Sequence, residues 1–247
     1  MAIWNDPQPS QTGFGASSKM NAEMQRAATY DAGLRSYMLS IYNYMASGVL
    51  LSGLVALVFA SSGLAAQLFV TPLRWLIVLA PLGFVFAMSA GMGRMKTSTL
   101  QACFWGFAVA MGLSLSSIFL VYTGASIAAT FFATAGAFAG LSLVGYTTKR
   151  NLSGMGTFLI MGVWGLLIAS LITMFFPIPG AGFVISVLGV LIFAGLTAYD
   201  TQNLKNMYWQ AAGTPYLGKV VIMGALNLYL DFINMFQFLL SFMGDRR

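Results

Sequence analysis

Histidine is missing from this 247-residue chain, cysteine occurs once, and only 7% of the residues are charged. Each shortage excludes a chemistry. Without His there is no Ser/His dyad, no imidazole proton shuttle and no histidine-ligated metal. The lone Cys103 sits in an apolar run, so the chain forms neither an intrachain disulfide nor a thiolate metal cluster. Charge is scarcer than in soluble domains, where about a quarter of residues carry it. Hydrophobic residues make up 58%. A water-soluble globule of this composition would expose too much apolar surface, so the chain reads as a polytopic membrane protein.

The first thirty-odd residues contain Pro, Gln, Ser and Gly but no continuous apolar stretch. They lack the core of a cleavable signal, and residues 1–35 read as a polar, flexible cytoplasmic tail. Residues 36–247 read as one transmembrane domain. It holds seven apolar stretches that approach the ~20 residues a helix needs to cross hydrocarbon. They fall at Tyr37–Ala60, Trp75–Gly91, Leu100–Tyr122, Ser126–Tyr146, Gly156–Phe176, Ala181–Leu204 and Val220–Met243. Short separators such as "TGA" and "PIPG" make neighbours antiparallel. The predicted fold is therefore an all-α seven-helix membrane bundle.

Basic residues alternate between its two faces. Lys19, Arg26, Arg35, Arg94, Lys96, Lys149, Arg150, Lys205 and Lys219 all fall on one side, while the opposite loops hold only Arg74. The positive-inside rule makes the N-terminus cytoplasmic. It also explains the net charge of +6 better than a nucleic-acid partner does. Arg246 and Arg247 lie outside if the seventh segment crosses and inside if it is re-entrant. No internal repeat is evident. In the fourth span Gly136 and Gly140 form a GxxxG pair, a pattern expected to pack helices closely.

Acids are rarer still. Asp6, Glu23 and Asp31 belong to the tail and Asp245 to the C-terminus, which leaves Asp200 and Asp231 as the only acids within the spans. A carboxylate at a helix centre costs at least ~2.5–3.5 kcal/mol on insertion scales, so a functional role is the default reading. The alternative for Asp200 is that it snorkels towards Lys205, five residues on. Asp231 shares a narrow stripe with Asn227, Asn234 and Ser241, which such a helix aims at the protein interior or at water. The first span carries a similar stripe of Ser36, Ser40, Asn43 and Ser47. For Ser and Asn the plainer role is hydrogen bonding between helices. If the two aspartates meet in a low-dielectric bundle, both cannot ionise comfortably and one proton is shared. Such a pair can act as a proton-operated latch that repels itself or recruits a cation when deprotonated. Ca²⁺ prefers oxygen ligands but takes six to eight in well-formed sites, so two carboxylates suit transient passage rather than storage.

The runs "FAGLTAYDTQNLKNMY" and "GALNLYLDFINMFQFLL" resemble the C-terminal signature of the Bax inhibitor family, over the spans from about Tyr37 onward. The resemblance implies a bundle with the last helix central and a pH-sensitive Ca²⁺ leak governed by the aspartates at Asp200 and Asp231. It implies no tightly bound cofactor, with calcium as the transported ion and protons as the regulator. In bacteria it implies a place in the inner membrane and, for some members, a link to a membrane-bound ATP-dependent protease. Eukaryotic members suppress cell death. Many relatives have an acid in the second helix, whereas "LAPLGFVFAMSAGMGRM" has none. Arg94, at the cytoplasmic end of that helix, is the nearest candidate for a latch cation, with loop anchoring as its alternative role.

Two other classes compete. An intramembrane aspartyl protease also needs two aspartates on adjacent helices, one as base and one as acid. Its second Asp follows Gly-x-Gly, where this chain has Leu228-Tyr229-Leu230, and no Pro-Ala-Leu motif follows. The expectation is accordingly a non-enzyme. A non-conducting regulator that binds a membrane protease or another partner is the second alternative.

Overall fold

The computed structural model describes the backbone from Phe14 and side chains from Asp31 onward. Hydrocarbon offers the backbone no hydrogen-bond partners, so each apolar stretch closes its own ladder as a helix. Among the described residues eight helices result: α1 (Phe14–Ser61), α2 (Leu64–Phe69), α3 (Leu73–Gly91), α4 (Thr97–Val121), α5 (Gly124–Thr147), α6 (Ser153–Phe175), α7 (Ala181–Ala211) and α8 (Leu217–Met243). All but the six-residue α2 are long and apolar enough to span a membrane. The seven expected spans are therefore all present. Residues 1–13 of the proposed tail lie outside the described residues, and the rest of that segment is helix continuous with the first span.

Burial separates the helices into a centre and a surround. The most apolar window of α8 is 67% buried, against 11–33% in the other six spans. α1, α4, α5 and α7 pack directly against α8, while α3 rests on α4 and α6 on α7. The outer helices turn Leu76, Phe86, Phe158 and Trp164 outward, which places their apolar faces towards lipid.

α8 crosses from one face of the bundle to the other. At its start the Lys219 ammonium donates to the Met92 carbonyl in the α3–α4 turn (3.1 Å). At its far end the C-terminal residues clasp the α4–α5 turn. Thr123 N donates to Asp245 O (3.1 Å), Arg247 N to Val121 O (2.9 Å) and Asp245 N to Ser126 Oγ (3.0 Å). Arg246 and Arg247 therefore end on the face that carries Arg74, as exceptions to the charge asymmetry. A re-entrant seventh segment does not occur.

The GxxxG expectation needs correction. A Cβ on Gly136 or Gly140 would meet nothing within 4 Å, so neither glycine makes a close helix contact. Gly145 makes it instead, since a Cβ there would strike the backbone of Ala198 on α7. A second close approach joins α4 to α1, where a Cβ on Gly112 would lie 2.7 Å from the Ser52 carbonyl oxygen.

An aspartate pair between the last two helices

α7 extends to Ala211, seven residues past the predicted end of its span. Asp200 therefore belongs to the body of the helix, about 16 Å from its C-terminus at 1.5 Å per residue. Two glycines bring α7 and α8 together on either side of it. Gly224 of α8 receives Leu204 of α7, whose Cδ2 would be 2.6 Å from an added Cβ. Gly189 of α7 receives the ring of Phe238, which stacks on Phe193 with centroids 5.9 Å apart.

Between these two contacts the side chains of Asp200 and Asp231 come within reach of each other. An ionised carboxylate only accepts hydrogen bonds, so the two can bond to each other only while one of them carries a proton. Asp231 is 4% exposed, and its Oδ2 has no hydrogen-bond partner. Asp200 is only half-buried. Among the described residues no three acidic or cysteine side chains cluster as a metal site.

Apolar layers bound the pair along the bundle. On the Lys219 side lie Leu204 and Ile41, with Tyr208 beyond them packed on Tyr37 (ring centroids 5.2 Å apart). On the other side Phe232 meets Phe131 and Phe138, each with ring centroids 5.6 Å away.

The sequence profile described as "Inhibitor of apoptosis-promoting Bax1" matches residues 34–247, which take in nearly all of the first span, the other six and both aspartates. The chain belongs to the Bax inhibitor family. Its similarity to bacterial proteins extends over nearly the whole length of each. An uncharacterized protein of Caulobacter vibrioides is 48% identical over 230 residues, covering 88% of this chain and 91% of that one. An uncharacterized protein of Rickettsia prowazekii is 45% identical over 220 residues, with 89% and 93% covered. The inner membrane protein YbhL of Escherichia coli K12 is 44% identical over 220 residues, with 87% and 94% covered.

In this Bax inhibitor family chain the other residues marked by sequence have varied placements. Asn234 returns its amide to the Leu230 carbonyl (2.8 Å). Asn227 is exposed on α8, Asn43 is exposed on α1, and Arg94 is exposed in the turn after α3. Lys205 does not receive Asp200 as a snorkelling partner. Its ammonium donates to the Tyr146 carbonyl (3.0 Å) and lies over the Tyr146 ring.

Sequence reasoning missed the roles of Thr201 and Gln202. Thr201 exchanges a 2.9 Å hydrogen bond with Ser142 of α5, and Ser142 accepts another from the Tyr42 hydroxyl of α1 (3.1 Å). Gln202 holds the α5–α6 loop with both ends of its amide. Nε2 donates to Arg150 O, and Oε1 accepts from Leu152 N, each at 2.8 Å. The run Asp200-Thr201-Gln202 thus fixes α7 to three different neighbours. Its polarity inside an apolar segment was the available signal.

Proposed function

We propose that this protein is a pH-sensitive cation leak pathway, with Ca²⁺ as the transported ion, governed by the proton shared between Asp200 and Asp231. The supporting observation is the juxtaposition of the two carboxyls, with Asp231 buried, where they can bond to each other only while sharing a proton. With that proton bound, α7 and α8 stay latched, and apolar layers close the bundle on both sides of the pair. Its loss places two negative charges within hydrogen-bonding distance in a poorly solvated site. They repel one another or take up a cation, and either outcome loosens the two helices. Oxygen ligands suit Ca²⁺, and the small number of them suits passage over retention. On this reading no cofactor is tightly bound. The protein sits in the bacterial inner membrane with its N-terminus cytoplasmic, the side on which basic loop residues concentrate.

The test is Ca²⁺ flux through purified protein in liposomes, from mildly acid to mildly alkaline pH. Asp200→Asn and Asp231→Asn are each expected to change the flux or flatten its pH dependence. Identical pH curves for wild type and both variants would remove the latch. If wild type passes no Ca²⁺ at any pH, the reading shifts to a non-conducting regulator that binds a membrane protease or another membrane partner.

A further inference from the structure

Although α8 is the central helix, one of its faces is uncovered. Residues 227, 230, 234, 237 and 241 recur at steps of three and four and so share that face. Asn227, Gln237 and Ser241 are exposed there, and Asn234 is half-buried. Four of the five are polar, over about 21 Å of helix within a hydrocarbon core about 30 Å thick. Elsewhere the exposed faces of the spans carry mainly Leu, Val, Phe and Trp, as a lipid contact demands, with Ser36, Asn43 and Ser47 on α1 as polar exceptions. A carboxamide against acyl chains is unfavourable, so this face has another surrounding.

Its flanks are defined. On one side α8 meets α7, where Ser186 Oγ donates to Ser241 Oγ (3.0 Å) and Phe238 seats on Gly189. On the other it meets α4, where Tyr229 packs edge-on against Phe107 with centroids 4.9 Å apart. Asn227 and Asn234 lie one turn to either side of Asp231, whose neighbour Asp200 on α7 is half-buried. The remaining sides of α8 are sealed, with Leu228 and Tyr229 at 0% exposure and Phe232 at 3%. A docked helix would need unsatisfied polar groups to bind. Asn234 and Ser241 already have partners within the chain, at Leu230 and Ser186. Water suits the face better.

We infer that α8 lines a water-filled cleft between α4 and α7, and that ions pass the aspartate pair along this outer face rather than down the bundle axis. The second half of this inference rests on the leak reading. The first half stands alone.

Cys103 is the only cysteine, so a Cys103→Ser background allows single cysteines to report on water. Asn227→Cys, Asn234→Cys and Gln237→Cys would be treated in proteoliposomes with a charged, membrane-impermeant methanethiosulfonate. Leu188→Cys and Leu191→Cys, at exposed positions on α7, serve as lipid-facing controls. Such reagents attack the thiolate, which forms in water and not in hydrocarbon, so the cleft positions should react at least roughly tenfold faster than the controls. Full labelling after denaturation shows that each thiol is intact. Cleft cysteines that react no faster than the controls would overturn the inference. So would efficient disulfide cross-linking of two copies through Gln237→Cys, because the face would then be an interface. Labelling needs no flux. A reactive cleft in a protein that passes no Ca²⁺ keeps the cleft and removes the leak. Flux without reactivity does the reverse.

Discussion

The hydroxyls of Ser52 and Tyr229 lie 2.6 Å apart, buried at the junction of α1, α4 and α8. Ser52 Oγ is also 2.6 Å from the Ala108 carbonyl and 3.0 Å from that of Gly48, so its proton goes to a carbonyl. The Tyr229 hydroxyl must then be the donor to Ser52. Ser52→Ala strands the tyrosine O–H donor, while the Ala108 and Gly48 carbonyls keep their helix bonds. Tyr229→Phe strands only an acceptor site on Ser52. Ser52→Ala should therefore be the costlier change, by about 1 kcal/mol within the ~1–3 kcal/mol penalty for unsatisfied buried groups. The double variant should cost less than the sum of the two. Thermal unfolding in detergent measures all three. Equal losses for the single variants would reverse the donor assignment.

Close packing of α5 on α7 depends on Gly145, not on the GxxxG pair upstream of it. Gly145→Ala drives a methyl into the backbone of Ala198 and separates Ser142 from Thr201. The expected loss is about 1–3 kcal/mol, as for other overpacked interiors. Gly136→Ala meets open space and should be neutral or stabilising by up to about 1 kcal/mol through helix propensity. A thermal-stability comparison decides between them, and a larger loss for Gly136→Ala would restore the motif reading.

This contrast shows where the sequence is legible. Span number follows from composition, as does the expectation that Asp200 and Asp231 matter, because hydrocarbon penalises stray charge and unpaired backbone so heavily. Partner choice does not follow. Gly145 and Gly136 look alike in the chain, and only the orientation of α5 decides which one faces α7. Likewise Asn227 and Asn234 were legible as one stripe, but not that α8 turns it towards the gap between α4 and α7. Asn43 makes the same point, since its similar stripe on α1 is exposed as well. Helix ends were misjudged where polar residues continue the helix beyond the apolar run, as between Leu204 and Ala211.

Gln202 joins α7 to the loop that carries Lys149 and Arg150, a tryptic site. Gln202→Ala removes both hydrogen bonds. Gln202→Glu keeps an acceptor for Leu152 N but loses the donor to Arg150 O. At about 1 kcal/mol per bond, local opening should rise roughly tenfold or more for Ala and about fivefold for Glu. Limited trypsinolysis of membranes, timed by cleavage at residues 149–150, gives the ratio. Equal cleavage of wild type and Gln202→Ala would show that the amide does not restrain the loop.

The shared proton also makes a thermodynamic prediction independent of transport. On the latch reading the packed Asp200 and Asp231 hold one proton that two separated, solvated carboxyls release near neutral pH. Unfolding over that range therefore releases a proton, so stability is greatest at low pH and falls as pH rises. One proton corresponds to about 1.4 kcal/mol per pH unit, until the packed pair itself loses it. Asp231→Asn replaces the proton with an amide donor to the Asp200 carboxylate, so this slope should vanish. Asp245→Asn alters an exposed acid at the C-terminal clasp and should leave the slope intact. Unfolding midpoints across mildly acid to mildly alkaline buffers test this directly. A wild-type slope of zero, or one that survives Asp231→Asn, would mean that the two carboxyls do not share a proton in the folded protein.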